Sequence, residues 1–265
     1  MAVSISQTAN PAGVSASSTV ATYTGVSIGD AAPNRIVAVV VGTELASSTP
    51  SACTINSGGG AVSMTAGTTG NGGVLFARIF YLLVPTGATA EIKVTFSSVS
   101  PSSTQNHIAV YRVIGANTTL SAQGGDGSLD MDSSDRLTTG SITIPTDGGF
   151  IAVAAGATDT NAKAWANATE DIDADAGAFR FTTATRVTAL TTTAVTCTGT
   201  SNGEDGGLSY VIFATSTPPT VALNSPADAS SDSDTTPTLD FTGTDADGND
   251  VRYQVQINTD NTFGV

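Results

Sequence analysis

The chain has 265 residues, of which 40% are hydrophobic and 12% are charged, about half the usual charged share. Its formal net charge of −14 at pH 7 argues against nucleic acid and anionic membrane surfaces as partners, because both are bound by clustered Lys and Arg. The apolar content suffices for one large or two ordinary domains. Short uncharged side chains fill the remainder, which favours pleated sheets in a protein displayed on a particle or outside cells.

The N-terminal segment predicts no export signal. Met1-Ala-Val-Ser-Ile-Ser has neither a basic region nor a long apolar core, so we expect no signal peptide. No stretch approaches the roughly 18 apolar residues of a spanning helix, so we expect no membrane insertion. A display-type composition without a secretion signal fits a virion protein, which is made in the host cytoplasm and released by assembly and lysis.

Alternating and continuous apolar runs predict about a dozen strands before residue 215. Arg35-Ile-Val-Ala-Val-Val-Val-Gly42 is continuously apolar, as expected of a central strand that is buried on both faces. The predicted strands span residues 3–8, 20–28, 35–42, 52–56, 62–65, 74–84, 90–96, 107–114, 141–144, 150–155, 179–187, 194–198 and 208–215.

Two stretches interrupt this series. Residues 115–139 are polar and glycine-rich and predict a long loop, and residues 156–178 predict an irregular segment. Helical periodicity is nearly absent, and we find no internal repeat. Short strands separated by Gly, Pro and Ser turns predict an all-β fold, with a jelly-roll-like β-sandwich over residues 1–215.

A rigid joint follows at residues 216–220. Ser216-Thr-Pro-Pro-Thr220 contains two consecutive prolines, which fix φ, remove two backbone donors and extend the preceding residue. The sequence therefore predicts a stiff spacer and a second, smaller β domain over residues 221–265.

This second domain carries a recognisable pattern. Thr236-Pro-Thr-Leu-Asp-Phe241 is followed by the turn Asp245-Ala-Asp-Gly248 and by the alternating stretch Val251-Arg-Tyr-Gln-Val-Gln-Ile257. It resembles the first three strands of bacterial immunoglobulin-like or fibronectin-type-III-like modules. The resemblance implies the start of an immunoglobulin-like β-sandwich, with the chain stopping after its third strand.

The first part has a looser resemblance. Asn34-Arg-Ile-Val-Ala-Val-Val-Val-Gly-Thr43, Ala77-Arg-Ile-Phe-Tyr81, Gln105-Asn-His-Ile-Ala-Val-Tyr111 and Trp165-Ala-Asn-Ala-Thr-Glu-Asp171 look like a module of tailed-phage virion proteins. Such modules often precede immunoglobulin-like domains. The pairing implies a capsid decoration protein, a head fibre or a tail fibre, with no binding-site residues that the resemblance carries over.

Calcium is the cofactor for which the sequence offers candidates. Asp171, Asp173 and Asp175 lie in an acidic segment, 170–177, that predicts a loop. It fails the EF-hand pattern because Ala176 and Thr182 stand where Gly and Glu are needed. An irregular calcium site and a solvated acidic loop both remain open.

A second calcium candidate uses Asp245 and Asp247, in the turn of the smaller domain. The alternative is a plain turn, in which Asp bonds its own backbone and Gly248 supplies a positive φ.

Other candidate residues favour structural roles. Trp165 suits stacking on a glycan, but a lone Trp in a β domain is more often core. His107 is the one histidine and predicts a strand-start residue, and no Gly-x-Ser-x-Gly motif is present. Cys53 and Cys197 are interpreted as small buried hydrophobes rather than a disulfide. Zinc is excluded, because the chain holds one His and two Cys in all.

These features predict a non-enzymatic structural or adhesive protein on a bacteriophage surface. We expect other virion proteins and host-surface polysaccharide as partners, and a homo-oligomer with a trimer slightly preferred. The alternatives are a receptor-binding tail-fibre component, a carbohydrate-binding module with calcium-organised loops at 126–135 and 170–177, and, more weakly, a glycan depolymerase.

Overall fold

A computed structural model describes residues 2–131, 136–157, 162–199, 204–217, 219–225 and 238–245. The chain forms two compact units, Met1–Thr215 and Ser216–Val265. The described residues form antiparallel sheets and contain no helix, so none of them offers a helix that could cross a membrane. The predicted all-β fold is confirmed.

Strands that precede residue 115 build a first sandwich of two sheets. They are β1 (Ser4–Ala9), β2 (Val20–Ser27), β3 (Ile36–Glu44), β4 (Pro50–Asn56), β5 (Val62–Ser63), β6 (Thr65–Ala66), β7 (Gly70–Gly72), β8 (Leu75–Leu83), β9 (Thr89–Phe96) and β10 (Asn106–Ile114). The first inner sheet has the order β1-β10-β3-β8-β6, and β7 also pairs with β8. The first outer sheet has the order β2-β9-β4-β5.

The strands that follow build a second sandwich. They are β11 (Ala116–Met131), β12 (Leu137–Ile144), β13 (Gly149–Ala157), β14 (Ala164–Ala166), β15 (Thr169–Asp175), β16 (Phe179–Arg186), β17 (Leu190–Thr198) and β18 (Glu204–Thr215). The second inner sheet has the order β11-β18-β13-β16-β15, and the second outer sheet has the order β12-β17-β14.

The two inner sheets pack face to face, so the unit has four layers and three hydrophobic cores. On β3, Val37, Val39 and Val41 enter the first core, while the alternate residues Ile36, Ala38 and Val40 enter the middle core. In the same way, β13 divides its side chains between the middle and third cores. The continuous apolar run at 35–42 is therefore a central strand buried on both faces, as predicted.

The first sandwich has the strand order of a jelly roll. With the short β6 and β7 set aside, its eight strands place the first, eighth, third and sixth in one sheet and the second, seventh, fourth and fifth in the other. This arrangement of two interlocked Greek keys is that of a jelly roll. It ends at residue 114, however, so the prediction of one jelly-roll-like sandwich over residues 1–215 is corrected to two sandwiches that share a middle core.

The second sandwich repeats this topology, although the sequence shows no repeat. β11, β18, β13 and β16 take the places of β1, β10, β3 and β8, and β12-β17-β14 take those of β2-β9-β4. The difference is the fifth strand. β5 pairs with β4 in the outer sheet, whereas its counterpart β15 pairs with β16 in the inner sheet.

The prediction of a long loop at 115–139 is wrong, because most of these residues form the 16-residue strand β11. β11 is an edge strand that pairs with β18, and much of its length is exposed, so it lacks the apolar alternation of a covered strand. The glycines of β11 also favoured the loop prediction, since glycine is common in turns.

The irregular segment predicted at 156–178 is also wrong. It contains the end of β13, all of β14 and all of β15. The acidic residues that suggested a loop lie on an edge strand, where exposed charge is compatible with sheet pairing.

A close approach of backbones between the two sandwiches, called here the glycine wedge, explains the glycines near residues 70 and 125. β7 lies so close to β11 and β18 that a Cβ on Gly70 would overlap the carbonyl of Leu208, and one on Gly127 would overlap the carbonyl of Asn71. The contact joins the first sandwich to the second, and Ser209 adds a hydrogen bond from Oγ to the carbonyl of Thr68 at 2.7 Å. Glycine is required because two backbones meet without room for a side chain.

Both cysteines are free and buried, as the sequence predicted. Cys53 lies in the first core and Cys197 in the third, with the middle core between them. Burial raises the pKa of both thiols, so each behaves as a small hydrophobe.

In the second unit, the structure describes one antiparallel pair, β19 (Thr220–Ser225) and β20 (Asp240–Thr244). The third strand predicted at 251–257 lies outside the described residues. The immunoglobulin-like prediction for 221–265 therefore stays a prediction.

We expect Gly70→Ala to lower the free energy of unfolding by about 1–3 kcal/mol, because the new methyl group must displace the backbone of Leu208. The matched control is Gly59→Ala, at a position where a Cβ meets no atom within 4 Å. Urea denaturation of both variants measures the difference. Equal stability of the two would show that β7 is not wedged against β18.

Candidate functional site

The open edge of the second sandwich gathers most of the residues that the sequence singled out. Because β15 has moved to the inner sheet, the outer sheet ends at the short β14. Trp165 lies on β14, and Asp171, Asp173 and Asp175 lie on the facing β15. Asp245 follows β20 in the other unit, and Asp247 lies outside the described residues.

A β-bulge separates the three aspartates of β15. The pairing with β16 shifts register between Glu170 and Ile172. In a regular strand, residues spaced by two would share a face, but the bulge redirects Asp171 towards the middle core. Asp173 and Asp175 lie on the opposite face, towards the second outer sheet, because the intervening Ala174 packs against the middle core.

Asp171 takes part in a polar link across the middle core. Its Oδ2 accepts a hydrogen bond from the Tyr111 hydroxyl of β10 at 3.1 Å, and its Oδ1 accepts one from Thr185 Oγ1 at 3.0 Å. The Tyr111 oxygen also lies 2.6 Å from Thr183 Oγ1. Burial raises the pKa of Asp171, and burial together with the Asp171 charge raises the pKa of Tyr111.

Asp173 forms a largely buried ion pair on the face of β15 that is turned to the second outer sheet. Its Oδ1 lies 2.6 Å from Arg180 Nε, and the two side chains are 11% and 14% exposed. The Lys163 backbone N–H donates to Asp173 Oδ2 at 3.2 Å, which ties the start of β14 to β15. The hydrogen bond to Asp173 raises the pKa of Arg180.

Asp175 closes a local turn. Its Oδ1 accepts the backbone N–H of Gly177 at 2.7 Å, in the manner of an Asx turn. Gly177 has φ of +93°, a conformation that glycine adopts at little cost. The carboxylate therefore shapes the exit from β15.

Trp165 joins the two sheets of the second sandwich. Its side chain is half-buried and packs against the third core, and its Nε1–H donates to Thr182 Oγ1 at 2.7 Å. The Thr182 hydroxyl in turn donates to the carbonyl of Ile172 at 2.8 Å. The indole N–H is already used inside the protein, so the geometry favours the core interpretation over glycan stacking, which stays a prediction.

These contacts give the calcium prediction no support at β15. The three carboxylates point to two faces, and each one accepts hydrogen bonds from the protein. Among the described residues, no three His, Cys, Asp or Glu side chains come close enough to hold a metal ion. What the arrangement does is stabilise an edge, because charge and a bulge on an outermost strand hinder pairing with another sheet.

His107 lies elsewhere, at the interface of the two sandwiches. It is the second residue of β10 and is 6% exposed, and its ring packs against Phe181 of β16 with 4.6 Å between ring centroids. The ring lies 2.7 Å from Asn10 Oδ1, so Nε2–H is the donor. Burial lowers the pKa of His107 to about 4, which keeps the ring neutral near pH 7. The predicted structural role fits this environment.

Sequence reasoning missed the partners of the acidic strand. Arg180 and Thr182 stand in ordinary strand contexts without a motif, and the stretch that ends at Tyr111 assigns this residue no role. The one available signal was position, because Arg180 and Thr182 alternate with Phe179 and Phe181 and therefore share the face opposite the middle core. The strand that Arg180 and Thr182 contact depends on the pairing of β16 with β15, which no local sequence pattern predicts.

No protein-family model, no curated protein and no solved structure matches this chain. The resemblances to a tailed-phage module and to immunoglobulin-like modules therefore stay predictions.

We expect acid to weaken the wild type more than the variant His107→Gln. The pKa of the histidine falls from 6.5 to about 4 on folding, so the unfolded chain binds the extra proton between these values. Stability from this group is complete above pH 6.5 and is lost as the pH falls towards 4, by roughly 3 kcal/mol at most.

Urea denaturation of both proteins at several pH values between 7 and 4 measures this effect. The difference between them isolates the histidine, because all carboxylates titrate equally in both. Parallel pH profiles would show that His107 does not carry the acid sensitivity.

We expect calcium and EDTA to leave the thermal unfolding midpoint, followed by fluorescence, unchanged. Trp165 is the one tryptophan and donates to Thr182, the residue that pairs with Asp173, so its emission reports on this edge. A bound ion at 100 times its dissociation constant would add about 2.7 kcal/mol of stability. If calcium raised the unfolding midpoint, and Asp175→Asn reduced this rise, β15 would hold a calcium site after all.

Proposed function

We propose that this chain is a non-enzymatic structural and adhesive protein displayed on a bacteriophage particle. Residues 1–215 form the docking body, and residues 221–265 form an arm that contacts host-surface glycans. Its partners are other virion proteins of the capsid or the tail.

The observation that carries the proposal is the four-layer body. Three stacked cores and polar links such as Tyr111 to Asp171 join two sandwiches into one thick slab. The glycine wedge at β7 and the His107 contact add two further links between the sandwiches. Such a body suits a building element, in which the outer sheets and their edges meet neighbours.

The use of arginine supports a structural role. Arg35 is fully buried, and it donates from Nη1 to the carbonyl of Gly29 at 2.6 Å and from Nη2 to that of Thr86 at 2.7 Å. The other arginines that also donate to backbone carbonyls are Arg78, Arg112, Arg180 and Arg186. These guanidinium groups donate to backbone carbonyls and so hold the scaffold together, and the N–H donors engaged in this way are not available to an outside phosphate.

The jelly-roll order is compatible with the proposal. Jelly rolls occur in viral capsid proteins and in lectins, and a fold by itself does not define a function. The four-layer body supports the structural role, and the assignment of that role to a phage particle rests on the sequence resemblance and on the low share of charged residues.

A carbohydrate-binding module is the second candidate from the sequence. The arrangement at the open edge gives it less support, because Trp165 and the β15 carboxylates are engaged within the protein. A receptor-binding tail fibre differs from the leading proposal in position on the particle rather than in architecture.

Immunogold labelling of intact particles tests the proposal, with an antibody raised against residues 1–215. We expect gold on the particle surface. Label over the head indicates a decoration protein or head fibre, and label at the tail indicates a fibre component. Particles that carry no label, while a known virion protein labels normally, would overturn the virion assignment.

A further inference from the structure

The edge strands of the first unit differ in how well they are protected against pairing with another chain. An outermost strand leaves a row of N–H and C=O groups unpaired, and a regular, exposed, uncharged edge is a template for one more strand. Among the described residues, the outermost strands longer than three residues are β1, β2, β11, β12 and β15. Parts of β4 and β17 are also unpaired beyond the short β5 and β14, but Pro50 in β4 lacks an N–H and Thr192 in β17 has φ of +46°. Shorter edges offer too few backbone groups for stable pairing.

Charge and a bulge protect β15. Its seven residues include Glu170, Asp171, Asp173 and Asp175, and the register shifts within it. Two copies of such an edge would repel each other. β15 is therefore closed to a second copy of the same strand.

Irregular pairing protects β12 and β2. β12 shifts register twice in eight residues and contains Gly140 at φ of +67°. β2 shifts between Tyr23 and Val26, and its regular half is buried or half-buried. Neither strand presents a straight, exposed edge.

β11 is long, but its pairing with β18 shifts register at three places. Its longest regular part, residues 122–128, contains Asp126 and three glycines. The Asp126 carboxylate accepts the backbone N–H of Thr138 at 2.7 Å, which covers part of this edge. Charge, glycine and this contact together make β11 a poor template.

β1 carries no charge, and its one register shift lies at its end, between Gln7 and Ala9. From Ser4 to Gln7 its pairing with β10 is regular, and Ser4, Ser6 and Gln7 are exposed. Among the described residues, no strand pairs with its other side. Both ends are fixed, because the Val3 N–H donates to the carbonyl of Asp147 at 2.7 Å and Thr8 Oγ1 donates to that of Ser27 at 2.9 Å.

The charge distribution also favours β1. Residues 2–10 contain no ionisable side chain, in a chain with a net charge of −14. The residue opposite Ser6 on β10 is Arg112, a cation. The nearby acids are Asp147, whose carbonyl accepts from Val3, and Asp30, whose carbonyl accepts from Arg112. Two copies of an acidic protein repel least along a strand that carries no acid itself and has a cation opposite it.

We propose that β1 is a self-association edge, and that its partner is β1 of a second copy of this chain. Antiparallel pairing of a strand with itself creates a two-fold axis and a closed dimer. It would join the first inner sheets of both copies into one continuous sheet, with the flanking layers side by side. The inference replaces the expected trimer with a dimer, and it does not depend on the proposed display on a particle.

Sedimentation velocity of the full chain over a range of concentrations tests this inference. We expect the wild type to form a dimer of the 26.4 kDa chain, and Ser6→Lys to raise the dissociation constant at least tenfold, because edge lysines oppose strand addition. The matched control is Ser141→Lys, which makes the same change on the exposed edge strand β12 and should leave the dimer intact.

A second variant covers the case in which Ser6→Lys disturbs folding. Ser6→Cys should form a disulfide-linked dimer under mild oxidation, and Ser141→Cys should not, because position 141 is away from the proposed contact. The native Cys53 and Cys197 do not interfere, because both are buried. A monomeric wild type, a trimer, or a dimer insensitive to both changes at Ser6 would overturn the inference.

Discussion

Contact between the two inner sheets is the constraint on which much of the first unit depends. Because each inner sheet is covered on both sides, β3 and β13 must be apolar on both faces, and their sequences show the same continuous run. The same contact requires glycine where β7 meets β11 and β18. It also buries His107 and Tyr111, whose polar atoms find partners on Asn10 and Asp171. Burial without these hydrogen bonds would be costly.

The acidic strand illustrates how one residue pattern supports opposite interpretations. Four carboxylates in seven residues suggest a cation, but a bulge sends them to two faces. There Asp171 meets Tyr111, Asp173 meets Arg180, and Asp175 caps a turn. Their position on the last strand of a sheet gives the charge a further role, because it hinders edge-to-edge pairing. The topological difference between the sandwiches, the transfer of β15 to the inner sheet, creates this edge.

Several polar and sulfur-containing residues of the first unit hold its sheets and loops together. Buried Arg35 binds loop carbonyls, Trp165 bridges two sheets, and the cysteines fill separate cores. Each of these contacts joins parts of the scaffold to one another. The edge strands differ from one another, because β1 carries no charge whereas β15 is acidic. The proposed dimer and the proposed display on a particle are compatible, since symmetric assembly needs self-complementary surfaces.

The sequence by itself determined the strands that alternate or are continuously apolar, the β class, the buried cysteines and the central position of the run at 35–42, which is β3. These follow from local periodicity, which a burial pattern imposes directly on neighbouring residues. The tertiary structure alone decided that residues 4–215 hold two sandwiches rather than one, that β11 and β15 are strands, and that Asp171 and Asp173 face apart. Edge strands carry no apolar alternation, and a bulge has no fixed signature. Pairing between distant strands, such as β1 with β10, depends on contacts that no local pattern records.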